Sequence, residues 1–316
     1  MMNILVTGAS GYIGTALCHE LVDRGHLVKG VGRTKMANSG RFHYMPFDLE
    51  NDDVDELVKE SNCIVHLAGR AHKLGETTAT STHIYNKANS DLSIRLAKAA
   101  MNAGVNRFVF ISSIGVNGCL TRERAFNEGS LPNPETPYAI SKYTAENELI
   151  ALVSQSSMEL VIIRPPLVYA GNAPGNFFRL MKLVSTGIPL PFGAMKNSRS
   201  MIALENLVDF IHVCTVHPSA ADEVFLISDD CNFSTSEIVC YLAQGMDRDL
   251  ILLPFFDSLM RLGLSLVRKK SIYTQLYGSL EIDISKAKSL LKWSPPHDAR
   301  HCLVNAGVCF KSNIDK

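Results

Sequence analysis

The chain has no net charge: 31 Lys and Arg stand against 31 Asp and Glu in 316 residues. That balance argues against a nucleic acid or an acidic membrane recognised through bulk charge. Cys-x-x-Cys pairs are also missing. The eight cysteines (18, 63, 119, 214, 231, 240, 302 and 309) sit mostly in apolar contexts. They read as reduced core residues of a cytoplasmic protein, and no metal is expected. No uninterrupted apolar run is long enough to span a bilayer. The strongest stretch, Leu250 to Val267, is broken by Pro254, Asp257, Arg261 and Gly263, short of the roughly 18–20 residues a spanning helix needs. It reads as an amphipathic helix packed on the protein, with Arg268-Lys269-Lys270 at its end, or as a membrane-surface contact. The first apolar run begins at once, which leaves no room for a signal peptide.

What is present is an ordinary globular composition, 46% hydrophobic and 20% charged, with enough chain for one large domain and an attached lobe. The first half alternates strand and helix signals. Strands are predicted at 3–7, 27–32, 62–67, 107–112 and 159–164, and helices at 12–24, 52–60, 84–103 and 137–153. That alternation predicts an α/β fold of Rossmann type, a doubly wound parallel sheet with right-handed crossovers. Residues 1–170 would form the dinucleotide-binding domain, with the chain returning at about 201–228. Residues 171–200 and 229–316 would form a smaller, interleaved substrate lobe.

Three glycines follow the first strand in Thr7-Gly8-Ala9-Ser10-Gly11-Tyr12-Ile13-Gly14. A strand, a glycine turn and a helix N-terminus expose backbone N–H groups, let a pyrophosphate approach without a Cβ in the way, and favour negative charge through the helix dipole. Further on, Tyr138 and Lys142 stand four apart after Pro137, on one helix face. A positive charge near a phenol lowers its pKa and suits it to proton transfer. Ser112-Ser113 stand at the end of the predicted strand 107–112, where doubly wound sheets place ligands, so the Ser113 hydroxyl reads either as a group that holds a substrate oxygen or as a helix cap or turn residue.

Together with Val65-His66-Leu67-Ala68-Gly69, Arg164-Pro165-Pro166-Leu167-Val168-Tyr169 and Leu290-Leu291-Lys292-Trp293-Ser294-Pro295, these motifs resemble the extended short-chain dehydrogenases/reductases of the NAD-dependent epimerase/dehydratase type that act on nucleotide sugars. The resemblance implies that Tyr138 is the acid/base, that Lys142 holds the nicotinamide ribose and tunes Tyr138, and that Ser113 positions the C4 oxygen. It implies a pyrophosphate cradle at Gly8, Gly11 and Gly14 with Tyr12 and Ile13 beside it. Asp48 and Leu49 would meet the adenine, and Ala68 and Gly69 would pass beneath the cofactor. Asn176 and Phe177 would meet the uridine side of a UDP-sugar, and Arg199 its diphosphate. Family members commonly pair two helices into a homodimer. Here the helices at 84–103 and 137–153 carry Ile94, Leu96, Leu149 and Leu152.

The departures from the family pattern bear on function. Where many NAD-binding relatives place an acidic residue for the ribose 2′-OH, this chain reads Val31-Gly32-Arg33-Thr34. Arg33 is either a 2′-phosphate contact, which favours NADP over NAD, or a solvated loop residue. Ser113-Ile114-Gly115 replaces the Thr-Asp-Glu trio of 4,6-dehydratases, which disfavours elimination. Asn117 replaces a tyrosine common in epimerases, and the arginine often found before the late Gly-Asp is absent at Tyr277-Gly278-Ser279. Three functions remain open. The favoured one is reduction of a UDP-4-keto-6-deoxy-HexNAc by NAD(P)H. The others are a UDP-hexose 4-epimerase with bound NAD and a catalytically silent cofactor-binding protein.

Overall fold

The computed structural model describes residues 1–35, 40–70, 79–254 and 277–314. From residue 255 onward, the Leu250–Val267 stretch and the basic residues after it lie outside them. Among the described residues no helix is long and apolar enough to cross a membrane.

Strand β1 (Asn3–Thr7) enters helix α1 (Tyr12–Asp23) through the glycine turn. Gly25, in the left-handed region at φ +82, ends that helix as its N–H bonds Val22 O at 2.9 Å. Strands β2 (Leu27–Gly32) and β3 (His43–Pro46), helix α2 (Val54–Val58) and strand β4 (Cys63–His66) follow. Next come helix α3 (Ala79–Asn86), a π-helical stretch Lys87–Asp91 and helix α4 (Leu92–Asn102). Strand β5 (Arg107–Ile111), helix α5 (Pro137–Val153) and strands β6 (Glu159–Arg164) and β7 (Leu167–Tyr169) complete the first half. Helix α6 (Gly175–Ser185), strand β8 (Arg199–Ala203), helix α7 (Leu204–Val216) and strands β9 (Val224–Leu226) and β10 (Asn232–Phe233) lead to α8 (Thr235–Met246). The chain closes on helices Ser285–Leu291 and Ala299–Ile314.

Seven strands form one parallel sheet in the order β3-β2-β1-β4-β5-β6-β9. Chain order reverses between β1 and β4, so the crevice beyond their carboxyl ends is the place where such a sheet holds a ligand. The predicted parallel α/β sheet is therefore present, with three differences. The edge strand β3 went unrecognised because it is four residues long and ends in Pro46. The helix expected at 84–103 begins at Ala79 and carries a π-helical turn. Of the chain expected to return at about 201–228, only β9 joins the large sheet. β8 pairs instead with β7 and β10 in a second, three-stranded sheet.

Two apolar layers cover the large sheet. One holds Ile4, Val6, Leu17 and Phe210, the other Leu5, Ile64, Leu96 and Phe108. A third cluster, with Tyr169, Phe177, Leu242 and Leu303, packs at the three-stranded sheet. Buried Asp229 ties this cluster to α7, accepting from Tyr169 Oη at 2.7 Å, Asn206 Nδ2 at 2.7 Å and the Ala203 N–H at 3.0 Å. The late Leu-Lys-Trp motif is anchored by Trp293, whose indole N–H donates to Asp209 at 2.7 Å and whose ring packs edge-on against Phe210.

Candidate active site

Thr136 caps α5, its hydroxyl accepting from the Ala139 N–H at 3.2 Å, and Pro137 starts the helix. That start brings Tyr138 and Lys142 to the end of β5. Ile13, Leu67, Gly69, Ser112, Ser113, Tyr138, Lys142 and Pro165 line a cleft of about 230 Å³ there. The Tyr138 and Ser113 hydroxyls are hydrogen-bonded to each other. Ser113 Oγ also accepts from the Gly115 N–H at 3.1 Å, so its turn is held rigidly.

Electrostatics differ from the expectation in one respect. Burial pushes the Tyr138 phenol up to about 12, and the bond from Ser113 opposes that rise. The Lys142 charge expected to lower it is turned elsewhere. Its ammonium donates to Ile111 O at 2.8 Å and lies over the Phe110 ring, 4.5 Å from the centroid. Burial brings Lys142 down to about 8, with Glu146 pulling it back up.

The cofactor cradle is built from backbone. Gly11 caps α1 without any side-chain bond, and the first turn carries no acidic residue, so an anion would meet N–H groups and a positive dipole end. A Cβ on Gly14 would fall 2.1 Å from Gly8 O, and Gly8 sits at φ +72 against Ala68 N. The three glycines therefore let the turn lie flat on the end of β4. This arrangement fits a dinucleotide.

Not every expected residue offers its side chain to the cleft. Tyr12 is half-buried against core residues, and Phe177, only 1% exposed, belongs to the third apolar cluster. Phe177 has only its backbone to offer. Leu49 is buried in the core, and the Asp48 carboxylate accepts from the Glu50 N–H at 3.0 Å and the Asn51 amide at 2.7 Å. Those bonds hold Asp48 below the usual carboxylate range, and the Arg33 charge adds to them. Asn176 is exposed at the start of α6. Arg199 does not line the cleft. It donates to Gly278 O at 2.8 Å, with its charge felt at Cys119 beyond the Ser113 turn.

Two supporting residues had no role assigned from the sequence, His66 of the 65–69 motif and Asn89. His66, fully buried, bonds Thr7 Oγ1 at 2.7 Å and Ser93 Oγ at 2.9 Å, joining β1, β4 and α4 beneath the cradle, and burial brings it down to about 3. Asn89, inside the π-helical stretch, accepts from the Arg70 N–H at 2.7 Å and donates to Ser141 Oγ at 3.0 Å. It thereby fixes the Gly69 loop against α5. The available signal was a run of short polar residues within an apolar-periodic helix, a pattern that marks local backbone bonding. The reading also passed over one metal-like spacing, His297-x-x-x-His301. Among the described residues, no group of three metal-ligating side chains forms there or elsewhere.

Comparison with known proteins follows the same lines. The model of the NAD dependent epimerase/dehydratase family matches residues 4–228. A UDP-glucose 4-epimerase of Vibrio cholerae is 40% identical over 298 residues, covering 93% of this chain and 91% of that protein. The N-acetyl-alpha-D-glucosaminyl-diphospho-ditrans,octacis-undecaprenol 4-epimerase of Escherichia coli O157:H7 is 25% identical, covering 78% of this chain and 73% of its own. Among solved structures, a UDP-glucuronic acid 4-epimerase from Bacillus cereus in complex with NAD shares the fold at a TM-score of 0.80, with 22% identity and all of both chains covered.

Proposed function

The chain belongs to the NAD dependent epimerase/dehydratase family, and from that premise we propose that it is a UDP-hexose 4-epimerase using bound NAD. The observation that carries this reading is the joining of Ser113, Tyr138 and Lys142 in one cleft beside the glycine cradle, in a chain 40% identical to a UDP-glucose 4-epimerase. Bound NAD would supply a hydride acceptor and donor at C4 and, when oxidised, a positive ring that favours phenolate. Ser113 would hold the C4 oxygen by its hydroxyl, and Tyr138 would take that oxygen's proton and later return it. Lys142, anchored on Ile111 O, would hold the ribose. The burial that raises Tyr138 also excludes water, so a 4-keto sugar would be protected while it turns over.

The reductase reading took Arg33 for an unopposed cation at the 2′-position. Asp48 stands within electrostatic reach of it, so the cation is not unopposed. NAD therefore becomes the cofactor of choice over NADP, and no NADPH need be consumed. Asn176, the Phe177 backbone and Arg199 remain the proposed contacts to the UDP part. The division at 171–200 and 229–316, with 1–170 and 201–228 holding the cofactor, belongs to the same reading. So does a cytoplasmic setting, in keeping with eight free cysteines. We also propose a homodimer. Leu96 and Leu149 lie inside the subunit, and Ile94 and Leu152 are packed partly against it. The exposed apolar residues that could pair are Ile84 on α3 with Ile140 and Ile150 on α5.

The test is direct. Protein purified without added nucleotide should retain NAD and interconvert UDP-glucose and UDP-galactose, or their N-acetyl forms, with no cofactor supplied. Tyr138→Phe should keep the NAD and lose turnover. Stoichiometric consumption of NADPH on a UDP-4-keto sugar would instead establish the reductase.

A further inference from the structure

We propose that Arg164 is a positioning residue, a buried clamp that sets Tyr138 against Ser113. The inference deepens the epimerase reading and rests on it. Arg164, at the end of β6, is 6% exposed, and both of its partners are buried more deeply. Its guanidinium grips Glu146 with two bonds, Nε to Oε1 at 3.0 Å and Nη2 to Oε2 at 2.5 Å. Its remaining arm, Nη1, donates to Asn117 Oδ1 at 3.0 Å.

Each partner belongs to a different half of the site. Glu146 follows Lys142 by four residues and Tyr138 by eight, so the three lie along one face of α5. Asn117 ends the short 3₁₀ turn that Ser113 caps, and its N–H bonds Ile114 O at 2.9 Å. Pro165, the next residue after Arg164, accepts from the Ile114 N–H at 3.0 Å and steadies the same turn. One guanidinium thus ties the helix bearing the phenol and the ammonium to the turn bearing the serine. The planar fork of arginine suits it to hold two directions at once.

A salt bridge kept only for stability would not need the third arm. Replacing a buried pair with apolar residues of similar volume is often neutral or stabilising, so stability alone is a weak reason for it. Asn117 is also left with one unmet hydrogen bond. Its Nδ2 is buried with no partner among the described residues, so the amide is oriented by Arg164 at the cost of its own donor. Glu146 is faced by two cations, Lys142 and Arg164.

The experiment compares the wild-type holoenzyme with a double variant, Arg164→Met with Glu146→Leu, and with Asn117→Leu, which leaves the ion pair intact. The double variant should melt with wild type and retain NAD, with KM within about threefold and kcat down about 100-fold, as expected when reacting groups lose their alignment. Asn117→Leu should lower kcat about tenfold, and Asn117→Asp, which still offers an oxygen to Arg164, should restore it. If the double variant does not fold, Asn117→Leu and Asn117→Asp decide the question. A second readout needs no turnover: amide hydrogen exchange over residues 114–118 should quicken at least about tenfold in Asn117→Leu. If wild type fails on every UDP-hexose, the epimerase reading fails, and this exchange still judges the clamp. A kcat within about threefold of wild type in a folded double variant or in Asn117→Leu, or unchanged exchange at the turn, overturns the proposal.

Discussion

Replacing Lys142 with methionine should change how stability depends on pH, in a direction the site itself dictates. Lys142 is 4% exposed, and burial brings its ammonium from 10.5 down to about 8. In the unfolded chain the group keeps its ordinary value, so the unfolded state binds the proton more tightly. The charged lysine therefore penalises the fold fully below pH 8. The penalty fades as pH rises from about 8 to 10.5, the folded protein losing its proton first. At about 1.4 kcal/mol per pH unit of displacement, the full penalty is about 3 kcal/mol. Between pH 7 and 9.5 roughly 2 kcal/mol of it should disappear. The assay is urea unfolding of both proteins, freed of cofactor, at these two pH values. The difference in stability, wild type minus Lys142→Met, should rise by roughly 2 kcal/mol toward alkaline pH. Buried Cys63 and Cys214, both pushed up by burial, act the opposite way but cancel between the two proteins. Parallel stabilities at both pH values, or a gap that moves the other way, would refute the reasoning. The lysine would then not be a desolvated charge held for chemistry.

Arg33→Ala should leave NAD affinity nearly unchanged by equilibrium dialysis, because Asp48 already opposes that charge. A loss of NADP binding well beyond tenfold would restore Arg33 as a 2′-phosphate ligand. Gly245→Ala should destabilise the smaller lobe by about 1–3 kcal/mol in chemical unfolding. A Cβ there would sit 1.9 Å from Val304 O, where α8 crosses the C-terminal helix on backbone. Light scattering at micromolar concentration should report a dimer in wild type, and Ile140→Glu with Ile150→Glu should yield monomer. A monomeric wild type would remove the dimer.

Local chemistry made much of this molecule legible before folding was considered. Apolar periodicity placed β1, β2, β6 and α5, because strands buried on both faces read as continuous branched runs and helices repeat at 3.6 residues. Gly8, Gly11 and Gly14 announced the cradle, since a Cβ at Gly8 or Gly14 would collide with neighbouring backbone. The spacing from Tyr138 to Lys142 put two groups on one helix face. Short-range steric and periodic rules need only neighbouring residues to act, and so the chain order carries them. The rest depended on residues distant in sequence. Asn89 gains its role only where Arg70 and Ser141 meet it, 19 and 52 positions away. Arg164 joins Glu146 to Asn117 across two strands and a helix. Phe177 turned into a core rather than toward a ligand, and Lys142 toward Ile111 O rather than the phenol. Burial reversed the expected direction for Tyr138. Desolvation and long-range hydrogen bonding belong to the packed volume around a group, and only the tertiary structure determines that volume.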